Sequence, residues 1–157
     1  TLNPRRYNNM SRLTVNEAGT SGYTDEINLT PGDFTTAAGN TTTLVNVGVK
    51  AGDVIDGAAL VVSEAFSVSS NLSVGYDGSV NPASGSAVAE GFINNHNANS
   101  TGTKVNTGSA LDDNGDAQNI RIVAAADGNI KIASASALDG STSGKLKVLL
   151  SIKRVNA

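Results

Sequence analysis

The 157-residue chain has no cysteine, no tryptophan and a single histidine, with three phenylalanines and three tyrosines. Without cysteine there is neither a disulfide framework nor a thiolate metal site, and thiol usage says nothing about the redox compartment. Without tryptophan the broad apolar platforms that sugars stack on are scarce, which disfavours a lectin or glycosidase although 14 acidic residues offer many carboxylate pairings. The lone His96 is the one candidate base for a Ser/His/Asp arrangement. It lies in the polar stretch 94–100, which reads as an exposed loop with neither an orienting partner nor a dry pocket. No apolar run approaches the roughly 18 residues of a spanning helix, and TLNPRRYNN at the start has no apolar segment of signal-peptide type. The expectation is a soluble, non-enzymatic domain that contacts neither membrane nor cofactor.

Charge is unevenly distributed. Residues 1–16 carry Arg5, Arg6 and Arg12 and no acid, giving +3; residues 17–144 carry 14 acids against 4 bases, giving −10; residues 145–157 carry Lys145, Lys147, Lys153 and Arg154, giving +4. Basic ends on an acidic body suit contact with an acidic surface, while ordinary solubilising charge accounts for the same pattern. An acidic body is repelled by a polyanion, and the N-terminal arginines have only Tyr7 beside them as an aromatic, so a nucleic-acid partner is not expected. Arg5, Arg6, Tyr7 and Arg12 are the candidate partner-contact residues.

Residues 1–25 show no period of 2 or 3.6 and are crowded with Asn, Arg, Thr, Ser and Gly, so they read as an extended arm. From residue 26 onward, short runs of Val, Ile, Leu, Thr and Phe are bounded by turn signals such as Pro31-Gly32-Asp33, Gly52-Asp53 and Asp77-Gly78. Strands are predicted over 26–29, 41–49, 54–66, 72–76, 87–93, 119–126, 129–138 and 145–155. Eight strands suit an all-β, antiparallel two-sheet sandwich over 26–157. The clearest hairpin signal is 119–138: Ile120 and Ile122 on one arm, Ile130 and Ile132 on the other, and Asp127-Gly128 as a type I′ turn. The last strand alternates charged and apolar residues before Val148, Leu149 and Leu150 in a row, as if half-buried and then buried on both faces.

The most metal-like segment is Asp112, Asp113, Asn114, Gly115 and Asp116, whose hard oxygen donors suit Ca²⁺. Its spacing fails the EF-hand pattern, with glycine fourth instead of sixth and Val123 at the twelfth position, so it reads as a solvated turn and no metal site is expected. The Asn-x-Ser/Thr triplets follow from composition.

Across residues 41–155, the runs TTTLVNVGVKAGDVIDGAALVVSEAF, NLSVGYDGS and GKLKVLLSIKRV together resemble the capsid decoration, or cement, proteins of tailed bacteriophages. The resemblance covers about three quarters of the chain and lies in texture and strand order. It implies a jelly-roll-like sandwich, a homotrimer, a location on the outer surface of the virion, and clamping of neighbouring major capsid proteins. On that reading, Arg5, Arg6, Tyr7 and Arg12 contact the capsid. A head-fibre or tail-tip component that binds a host surface has the same requirements, and a carbohydrate-binding module is the alternative from another class.

Overall fold

Successive side chains of a strand point to opposite faces, so a strand with one face on a core alternates buried and exposed residues. The C-terminal strand does so: Leu146, Val148, Leu150 and Ile152 are buried, while Lys145 and Lys153 at its ends are exposed. Leu149, expected to be buried like its neighbours, is only half-buried because it falls on the outer face. The structure, a computed structural model, describes residues 10–12, 23–34, 42–81, 88–106 and 121–155.

The described strands are β1 (Met10–Arg12), β2 (Asp25–Leu29), β3 (Thr42–Val49), β4 (Val54–Glu64), β5 (Asn71–Tyr76), β6 (Val88–Asn97), β7 (Gly102–Val105), β8 (Ile122–Val123), β9 (Gly128–Ser134) and β10 (Lys145–Lys153). They form an antiparallel sandwich. The larger sheet runs β1-β2-β10-β4-β7, with β8 also on β4; the smaller runs β3-β9-β5-β6. Apolar residues of the two inner faces meet between the sheets, among them Ile27, Leu60 and Val148 from the larger and Leu72, Val74 and Ile132 from the smaller. Each such side chain contributes about 1.5–3 kcal/mol on full burial. With so few aromatics, the rings are paired edge-on at two places, Tyr76 with Phe92 at 5.5 Å and Phe34 with Phe66 at 5.8 Å.

The expected 119–138 hairpin is not formed. Ile122 pairs with Ile55 of β4 in the larger sheet, whereas Ile130 and Ile132 on β9 pair with β3 and β5 in the smaller one; Ile120 lies outside the described residues. Residues 124–127 are instead a crossover. The Ala124 N–H donates to the Asp53 carbonyl at 2.8 Å, the Gly52 N–H to the Ala124 carbonyl at 2.7 Å, and the Ala125 N–H to the Val80 carbonyl in the turn after β5 at 2.9 Å. Among the described residues only Asn95, Gly52 and Gly144 have positive φ, so Asp127-Gly128 is not the expected type I′ turn. Alternating isoleucines fit strands facing each other across a core as well as strands lying side by side.

The region 94–100 is likewise not simply a loop, because β6 continues through His96 to Asn97. A register irregularity lies between the Leu72 and Val74 rungs, and Asn95 there has φ 53°. Asparagine tolerates the left-handed region, so an Asn-rich run accommodates a bulge without ending the strand. Strands β1 and β7, neither expected from the sequence, are short pieces on the two edges of the larger sheet.

Gly144 precedes β10 with φ 135°, and a Cβ there would lie 2.5 Å from the Phe66 ring. Gly144→Ala is expected to lower the unfolding free energy by about 2–4 kcal/mol. At Gly140 a Cβ meets nothing within 4 Å, and Gly140→Ala should stay within about 0.5 kcal/mol of the parent. Urea titrations in which both variants match the parent would refute this account.

Candidate partner-binding surface

Of the four contact candidates, Arg5, Arg6 and Tyr7 lie outside the described residues. Arg12 ends β1, which pairs antiparallel with β2 in the register Met10 to Ile27, Ser11 to Glu26 and Arg12 to Asp25. Part of the N-terminal segment is thus an edge strand three residues long. The acidic stretch 112–116 also lies outside the described residues, and among those described no group of three or more His, Asp or Glu side chains could hold a metal ion.

The C-terminal bases are answered by carboxylates of the same sandwich. Lys145 pairs with Glu64 at 3.0 Å, Lys147 with Glu26 at 2.9 Å, Lys153 with Asp56, and Arg154 with Asp25. The last pair differs from the others in kind. Asp25 is fully buried, the Arg154 side chain is 12% exposed, and the guanidinium reaches both carboxylate oxygens at 3.1 and 2.5 Å. A two-pronged pair of this sort fixes orientation as well as charge. Asp25 takes the inward course of Ile27 and Leu29, two and four residues on. An acid in phase with an apolar face was the signal available in the sequence, and the reading missed it.

Beside that pair, Thr24 ties the start of β2 to the end of β10. Its N–H donates to the Leu150 carbonyl at 2.9 Å, and its Oγ1 accepts from the Ile152 N–H at 2.8 Å. Asp53 is buried and receives the Lys50 and Val155 N–H groups at 2.9 and 3.2 Å. Asp56 and Asp77 are each pushed up by partial burial, yet their hydrogen-bond partners hold both below the ordinary carboxylate range. For Asp56 these are Lys153 and Ser151, with the Lys153 and Arg121 charges adding; for Asp77 they are Lys131 and Asn129. The start of β2, the end of β10, the crossover and these carboxylates are joined by the hydrogen bonds and ion pairs above.

His96, opposite Leu72 on β6, is half-buried, and its Nε2 lies 3.2 Å from the Gly102 carbonyl across the β6–β7 turn. Burial pulls its pKa below 6.5, the Gly102 hydrogen bond opposes this, and the Lys104 charge reinforces it. Lys104 itself donates to the Asn94 carbonyl.

Two outcomes are expected. Arg154→Met leaves Asp25 charged and buried and should cost about 3–5 kcal/mol, much of it recovered by adding Asp25→Leu; a loss under about 1 kcal/mol in urea titration would mean that the pair anchors nothing. The folded pKa of His96 is depressed, so the unfolded chain takes the proton first as pH falls. Stability from neutral His96 is therefore complete above 6.5, declines as pH falls through that value, and levels off below the folded pKa. Asp56 and Asp77 act in the same direction only below 3.8. Thermal melts from pH 7.5 to about 5 should show the first decline, and His96→Gln should flatten it.

No protein-family model, no curated protein and no solved structure matches this chain, so its surfaces are read from its own residues.

Proposed function

We propose that this chain is a non-enzymatic virion structural protein, a jelly-roll-like sandwich that sits as a trimer on the outside of an icosahedral capsid and clamps neighbouring major capsid proteins. The observation that carries the reading is the internal pairing of Lys145, Lys147, Lys153 and Arg154. With those four compensated, we assign contact with an acidic neighbour to Arg5, Arg6 and Arg12. The N-terminal segment carrying them is joined to the sandwich edge by the short strand β1. A protein of this kind stabilises an assembled shell by the free energy of binding to it, and repeated contacts multiply individually weak ones.

Each exposed arginine pair is worth about 0–1 kcal/mol, so no single substitution should decide attachment. Removal of residues 1–22 leaves Thr24 and Asp25 in place and takes away all three arginines. The shortened protein should keep its β-rich circular dichroism and bind expanded capsids at least about ten-fold more weakly, while parent binding weakens as salt rises. Unchanged affinity and salt dependence in a capsid co-sedimentation assay would refute a role for the segment. Absence of any binding to capsids would refute the function itself.

A further inference from the structure

Among the described residues, the exposed large apolar side chains are Val105 at 49%, Val123 at 59% and Val155 at 60%. Two of them share a surface. On β4, Leu60 and Ile55 face the core, so Ala59 and Val54 face outward. Val105 is the partner of Ala59 and Val123 of Val54, which places both exposed valines on the outer face of the larger sheet. Leu149 is the other partner of Ala59, so a single rung carries Leu149, Ala59 and Val105 across three strands. In the next rung Val61 lies between Lys147 and Thr103. The result is an apolar run from the half-buried Leu149 and Val61 past the buried Ala59 to the exposed Val105 on β7, the last described strand on that side of the sheet.

The same face holds three of the ion pairs, Lys145 with Glu64, Lys147 with Glu26 and Lys153 with Asp56. These three bases and three acids are matched, and the Arg121 charge also acts on Asp56, whereas residues 17–144 as a whole carry −10. Two copies of an acidic protein repel each other through most of their surfaces. Here each copy carries both signs around an apolar centre, so a lysine of one can meet a carboxylate of the other.

We propose that this outer face is a self-association surface and that its occupant is the same face of a second copy of the chain. A two-fold contact sets a patch against itself, and this patch is complementary to itself in charge and apolar at its middle. A strongly basic or strongly acidic partner would meet charges of both signs there. The contact is independent of the shell reading, since it needs no capsid.

The test is sedimentation velocity on the full chain from about 1 μM to about 1 mM. The parent should associate as concentration rises. The double variant Val105→Lys and Val123→Lys should associate at least about ten-fold more weakly. Val155→Lys, equally exposed but beyond the end of β10, should behave as the parent. Equal urea midpoints would establish that the exposed substitutions left the fold intact. On the parent alone, lysine-directed cross-linking should join copies through Lys147 and Lys153. A parent whose mass does not rise with concentration, a Val155→Lys effect as large as that of the double variant, or cross-links confined to other lysines would overturn the proposal.

Discussion

Strand β10 lies between β2 and β4 and is hydrogen-bonded along both edges. Its inner side chains face the core, its outer lysines meet carboxylates on those two neighbours, and Arg154 just beyond it meets Asp25 at the start of β2. Because one strand carries all these contacts, the register of β2 and β4 against β10 decides both what is buried and which charges are matched. A slip of one residue would turn Leu146, Val148 and Leu150 to solvent and three lysines toward the core. The buried Asp25–Arg154 pair is costly to desolvate and costlier to break, which makes it a determinant of register rather than a large net stabiliser.

The two ends of the sandwich are closed by different chemistry. One end uses carboxylates: Asp53 and Asp127 accept backbone N–H groups of the β3–β4 turn, and Asp127 also meets Lys50. The other uses hydroxyls. Ser67 and Ser141 lie 3.0 Å apart, the Ser67 Oγ accepts the Thr142 N–H, and Ser143 donates to the Ala65 carbonyl, so the β4–β5 and β9–β10 connections are joined. Ser70 similarly accepts the Ser136 N–H at 2.9 Å. A chain rich in Ser and Thr and poor in aromatics satisfies loop backbone groups with short side chains, where a larger core would use buried bulk.

This organisation bears on how the molecule can meet others. The uncompensated charge is not at the C-terminal strand, although that is where the linear sequence concentrates bases. Pairing within the sheet matches Lys145, Lys147 and Lys153 to Glu64, Glu26 and Asp56, so these bases do not form a free basic end. Both the shell reading and the self-association surface rest on this pairing of the C-terminal bases.

Several features were legible in the residues themselves. Period-two alternation in 145–153 and the turn signals at Pro31-Gly32 and Gly52-Asp53 suffice for an all-β chain, because a half-buried strand leaves that trace whatever its partners. Strand starts at residues 42, 54 and 71 lie within one residue of expectation. Partner choice left no such trace. Ile122 and Ile130 read as hairpin neighbours and stand in different sheets; His96 reads as loop and lies in a strand; Lys145, Lys147 and Lys153 read as a free basic end and are matched to Glu64, Glu26 and Asp56. Alternation records only that a side chain has a buried face, and formal charge only its sign. Which strand lies alongside, and which carboxylate comes within 3 Å of an ammonium, is decided when the sheets pack and the whole chain must satisfy its hydrogen bonds and charges together.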